Sequence, residues 1–166
     1  MKKNSMIAVL VLVVSVGSAF ALHYFSAAEV IKRQLVGLAA EIGKEGQEPT
    51  VRMALKMGNV KNAIAASCLV TIPERGYSEA LESDLIIQYL IYHRNRYILY
   101  AAAFEKVAVA IPGKGQAVVH GTIRVRSQAS AQAPPVEKVQ QVELALVKTD
   151  AKWLVHKVTI PEALVD

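Results

Sequence analysis

"YILYAAAFEKVAVAIPGKGQAVVHGTIRVRSQ", Tyr97 to Gln128, is where the chain changes period. Before it, apolar residues recur at helical steps; within it they alternate with small or polar ones, the pattern of strands that bury one face. Pro112-Gly113-Lys114-Gly115 supplies a turn in the middle, so the stretch reads as two long strands, Tyr97 to Ile111 and Gln116 to Gln128. The alternation continues in "VEKVQQVELALVKTD", Val136 to Asp150, and "KWLVHKVTI", Lys152 to Ile160, with Thr149-Asp150-Ala151 turning between them. Between the two pairs lies "ASAQAPP", Ala129 to Pro135, a flexible surface loop or an excursion of the hairpin. Consecutive long strands joined in this way make an antiparallel meander.

The residues upstream read as helices. Val30, Ile31, Leu35, Leu38, Ala39 and Ile42 fall on one face of a helix from Ala27 to Ile42, opposite Lys32, Arg33 and Glu41. Gly43 and Gly46 stop it. Pro49 opens a second segment in which Met53, Met57, Val60 and Ile64 recur at helical spacing, a methionine stripe that belongs in a core. Ser67 to Ile72 then reads as a short strand closed by Pro73 and Gly76. Ser78 is placed to cap a third helix, with Glu79, Glu82 and Asp84 in its first turns, where the helix dipole favours negative charge. Between Leu85 and Tyr92 only Gln88 is polar, so this helix is expected to be buried, ending in the cationic "HRNR", His93 to Arg96. Three helices followed by four strands define an α+β domain with the helices on one face of a bent sheet.

The beginning of the chain is different in kind. Lys2 and Lys3 precede an apolar run from Met6 to Leu22, extendable through Phe25, and no further charge occurs until Glu29. Such a run is on the border between a signal-peptide core and a membrane span. His23, Tyr24 and Phe25 suit an interfacial belt and favour an uncleaved anchor; Ala19-Phe20-Ala21 offers the small residues of a cleavage site. Residues 1–26 are therefore expected to be a signal-anchor or signal peptide, and residues 27–166 the folded domain. By the positive-inside rule the domain lies outside the cytoplasm, held to the inner membrane by one pass, or soluble in the periplasm after cleavage near Ala21. The single cysteine, Cys68, cannot form an internal disulfide and reads as a small buried hydrophobe. Net charge is +5, part of it in Lys2 and Lys3, which is too small and scattered an excess to argue for nucleic acid.

Two stretches carry a resemblance. "ELALVKTDAKWLVHKVTI", Glu143 to Ile160, and "EKVAVAIPGKGQAVVHGTIRV", Glu105 to Val125, resemble the closing strands of the nuclear transport factor 2-like superfamily, which includes the SnoaL-like proteins, and the order of elements from Ala27 to Ile160 is similar. The resemblance implies a cone-shaped domain, three helices on a curved antiparallel sheet with a pocket at the wide end. It implies no single activity, since that superfamily spans isomerases, dehydratases, cyclases, ligand binders and pairing domains without activity.

Candidate chemistry is sparse. An isomerase in such a cone would need an inward carboxylate, and Glu105 and Glu143, both within strands, are the candidates if either faces in. Glu74, Glu79, Glu82, Asp84, Glu137 and Asp150 fall in turns and helix starts. Tyr89 and His93, four residues apart on the third helix, share a face and are the candidate rim of a ligand pocket. His120 and His156 sit in separate strands and His23 in the leader, so no metal site and no cofactor is expected. Arg124 and Arg126 share one side of a strand. Tyr92, Arg94, Arg96, Tyr97 and Tyr100 interleave bases and aromatics, but a nucleic-acid role is set aside on charge. No catalytic residue is assigned. The expectation is a non-enzymatic exported domain acting through a protein partner or as a homodimer, with a pocket for a small hydrophobic ligand as the alternative and an isomerase or dehydratase after that.

Overall fold

The computed structural model describes residues 26–165. The hydrophobic N-terminal helix, the signal-anchor and the cleavage near Ala21 all fall outside the described residues. Among the described residues no helix is long and apolar enough to cross a membrane.

Helix α1 (Ala27–Ile42) begins where the Ser26 hydroxyl accepts a hydrogen bond from the Glu29 amide at 3.3 Å. A two-residue strand β1 (Lys44–Glu45) and helix α2 (Thr50–Lys61) follow, then β2 (Ile64–Ile72), β3 (Tyr77–Glu82) and helix α3 (Ser83–Asn95). The meander comes last as β4 (Leu99–Gly113), β5 (Gln116–Gln128), β6 (Val136–Thr149) and β7 (Lys152–Thr159). All strands join one seven-stranded sheet in the order β1-β4-β5-β6-β7-β2-β3. Neighbours are antiparallel, except that β2 runs parallel to β7. The α+β class, the three helices and the meander agree with the sequence reading.

The core shows why α1 is one-sided. Its Ile31 and Leu35 are fully buried against Ala117 and Val119 of β5, Leu144 and Leu146 of β6, Trp153 and Val155 of β7, and Cys68 of β2. The Gln34 amide ties the same helix to the sheet by donating to the Trp153 carbonyl at 2.8 Å. A smaller cluster joins Met57 and Val60 of α2 to Ile87 of α3, which places the methionine stripe in the interior.

A bulge in β4 sets which side chains reach the inside. Phe104 pairs with Ile123 and Val107 with Gly121, so Glu105 and Lys106 together oppose Thr122. Phe104 and Val107 consequently both pack on the core while Glu105 and Lys106 are exposed.

The region before α3 corrects the sequence reading. Tyr77 to Glu82 is a strand, and Ser78 caps nothing; it lies beside Thr71 with the hydroxyls 3.3 Å apart. Glu79, Glu82 and Asp84 imitate a helix start, but pairing with β2 from Ser67↔Glu82 to Ile72↔Tyr77 overrides that local preference. The glutamates are exposed on an edge strand, where charge discourages pairing with another chain. Nor is α3 buried on all sides: Tyr89 is 59% and Tyr92 70% exposed, because the helix lies along the open end of the sheet.

Candidate ligand cavity

Helix α1 covers the sheet over Ala117 and Val119 but not over Ile123 and Val125, further along β5. There α3 forms the opposite wall and leaves a cavity of about 500 Å³. Val70 and Ile72 of β2, Tyr77 and Leu81 of β3, Val158 of β7 and Leu164 after the last strand contribute apolar lining. A concave apolar space with few polar groups is the usual form of a small-molecule site.

The polar groups come mainly from α3 and the start of β4. Tyr89, Tyr92, His93 and Arg96 line the cavity, with Tyr100 behind them. The two residues picked out from sequence, Tyr89 and His93, therefore both lie on this wall. The His93 ring is stacked at a tilt with Tyr97 and Tyr100, at centroid distances of 5.6 and 5.5 Å, and Tyr97 lies 5.8 Å from Tyr100.

Burial holds the His93 imidazole below its ordinary range, and the positive charges of Arg96 and Lys138 push in the same direction, so the ring is neutral at pH 7. Its Nδ1 is buried without a hydrogen-bond partner among the described residues. A bare acceptor is tolerated there better than an unpaired N–H, which assigns the proton to Nε2 and makes that atom a donor. Burial raises the Tyr100 phenol, with Tyr97 adding to it, and keeps its O–H protonated. Lys138 pairs with Val125 in register, and its ammonium donates to the Ala163 carbonyl at 2.7 Å, pinning the C-terminal segment beside the opening.

Carboxylates are held elsewhere. Glu105 is bound by Arg124 at 2.5 Å on the outer face of the sheet, and Glu137 accepts from the same guanidinium. Glu143 also stands outside, 3.5 Å from His120, an exposed pair. Neither Glu105 nor Glu143 can serve as a base in the cavity. Among the described residues that line it there is no aspartate or glutamate. Glu79 shares a strand face with Tyr77 and Leu81 but is not on the lining; it accepts the Tyr77 hydroxyl at 2.9 Å. Among the described residues no cluster of histidine, cysteine, aspartate and glutamate could hold a metal ion.

Sequence reasoning missed Arg96, Ile123 and Val125. The alternation of β5 signals that Ile123 and Val125 share a face, but not that α1 stops short of them. Arg94, set beside Arg96 in the same basic run, has the opposite environment: it is fully buried, bound to Glu48 and to the Gly43 carbonyl, each at 2.9 Å.

No protein-family model matches the chain, and no curated protein does. Solved structures do. A candidate scytalone dehydratase from Novosphingobium aromaticivorans superposes with TM-score 0.63 at 11% identity, over 78% of this chain and 79% of that one. A candidate dehydratase of the nuclear transport factor 2-like family from Streptomyces avermitilis gives 0.60 at 11% identity, over 81% and 94%. A candidate calcium/calmodulin-dependent protein kinase II association domain from Xanthomonas campestris gives 0.55 at 13% identity, over 81% and 83%. At such identities the likeness is one of fold: three helices on a curved sheet in the nuclear transport factor 2-like arrangement, found with more than one kind of role.

Proposed function

We propose that the domain binds a small, largely apolar molecule in the cavity between α3 and the uncovered half of the sheet, without transforming it. The observation that carries this reading is the lining itself: aliphatic walls, tyrosine and histidine tips, and no carboxylate among the described lining residues to act as a base. A dehydratase or isomerase role has fold likeness in its favour, but Glu105 and Glu143, the carboxylates that could have served as its base, lie on the outer face of the sheet.

Action through a protein partner would call for an apolar outer sheet face. That face is mixed: the Arg124 ion pairs with Glu105 and Glu137 and the His120–Glu143 pair break up its apolar residues, Val139 beside Arg124 among them. The ligand reading is preferred for this reason. The proposal extends to where the domain works: the run Met6 to Phe25 holds it at the outer surface of the inner membrane, and intact mass of the membrane fraction tests that, a soluble species beginning near Leu22 counting against it.

The test of binding is titration of the full chain with the neutral fluorophore N-phenyl-naphthylamine. Saturable binding is expected, and Val125→Trp, which fills the cavity, should abolish it while leaving the melting temperature within a few degrees. Binding that is non-saturable, or indifferent to the filled cavity, overturns the reading.

A further inference from the structure

Most polar side chains around the cavity can donate a hydrogen bond. Arg96 offers guanidinium N–H groups, neutral His93 offers Nε2–H, and the tyrosines offer hydroxyls that can donate. Tyr77 is the exception, since its hydroxyl already goes to Glu79. Among the described residues Arg96 has no ion-pair partner, unlike Arg94 two positions earlier and Arg75 and Arg124 elsewhere. Lys138 adds a second positive charge on the cavity side of β6, its ammonium bound, among the described residues, to the uncharged Ala163 carbonyl. An apolar space with donors along one wall and the exposed Arg96 charge at its rim is complementary to a molecule with an apolar body and a single anionic head.

From this arrangement we infer that the ligand is an amphiphile ending in a carboxylate, its tail against Ile123, Val125 and Val158 and its head paired with Arg96. The inference rests on the cavity being a ligand site and adds the class of molecule. Arg96 is suited to the task because a guanidinium meets both oxygens of a carboxylate in parallel hydrogen bonds, which an ammonium cannot do.

The experiment is competition against N-phenyl-naphthylamine on the full chain, with decanoate, decanol and decylamine as probes that share a tail and differ in the head. Decanoate is expected to bind about tenfold more tightly than decanol, the size of one charge-assisted hydrogen-bonded contact, and decylamine more weakly than either. Arg96→Met keeps the apolar stem and removes the charge; it should bring decanoate level with decanol. Decanol and decanoate binding equally well to the unaltered protein overturns the anionic class and leaves the cavity reading standing. An advantage for decanoate that survives Arg96→Met overturns the role of Arg96. Failure of both probes to displace the fluorophore removes the inference together with the reading beneath it.

Discussion

Arg94 and Glu48, 46 residues apart in the chain, meet at 2.9 Å with the arginine fully buried and the glutamate side chain 8% exposed. Lys56 reaches the other carboxylate oxygen at 2.8 Å, and both cations also donate to the Gly43 carbonyl, each at 2.9 Å. The loop between α1 and α2 is thereby fastened to the end of α3, the helix that forms one wall of the cavity. Nε and Nη1 of Arg94 find no partner among the described residues, so its whole compensation rests on one nitrogen.

Removing the anion should therefore hurt more than removing the arginine. Glu48→Gln leaves a buried guanidinium without a countercharge and is expected to destabilise by about 3–5 kcal/mol. Arg94→Met leaves Glu48 still bound to Lys56, so its loss should be smaller, and the double variant should fall short of the sum of the two. Urea unfolding of the four proteins measures this; equal effects of the two single variants would contradict it.

The same contact predicts an acid dependence. Burial pushes the Glu48 carboxyl upward, but hydrogen bonds from Lys56 and Arg94 outweigh it and hold the group below its ordinary value of 4.5. A depressed folded value means stability that is complete above the unfolded value and is lost as pH falls through the folded one. The urea midpoint should thus decline below about pH 4.5, and Glu48→Gln should flatten that part of the curve.

Cys68 is buried at 2% exposure, and burial pushes its thiol up to about 11. The thiolate is the reactive form, so the native thiol should resist iodoacetamide at pH 8 and react only as fast as the domain opens. Rapid labelling of fully folded protein would count against the placement of β2 in the core.

The turn between β6 and β7 has two residues, Asp150 and Ala151, at φ of 47° and 65°. A two-residue hairpin with both positive is the tight form that matches strand twist, and aspartate accepts it more readily than alanine. Ala151→Gly should relieve the alanine and stabilise the domain by about 1 kcal/mol, seen as a rise in melting temperature.

Much of the fold could be read from the residues because period and packing agree there. The meander alternates where one face is buried, and Ile31 and Leu35 fall on the face of α1 that meets it. Where local and long-range preferences conflict, the reading failed. Tyr77 to Glu82 has the charges of a helix start and becomes a strand because β2 offers it a partner. The candidate site was half legible. Tyr89 and His93 lie on the cavity wall as helical spacing implied, whereas the contrast between Arg94 and Arg96 depends on Glu48, far away in sequence, and no local pattern announces it.

The parallel seam between β2 and β7 has a consequence in time. Leu69, Val70 and Thr71 find their partners far along the chain, in Lys157, Val158 and Thr159. On a ribosome the β2–β3 hairpin emerges long before the strand that must receive it, and contacts of such wide separation form slowly. The cavity wall carrying Val70 and Ile72 can be seated only once β7 has been made. A chain halted before Lys152 would have the hairpin, α3 and the paired strands β4 to β6 but not the strand that joins the two parts, so the cavity between α3 and the sheet closes only after β7 is in place.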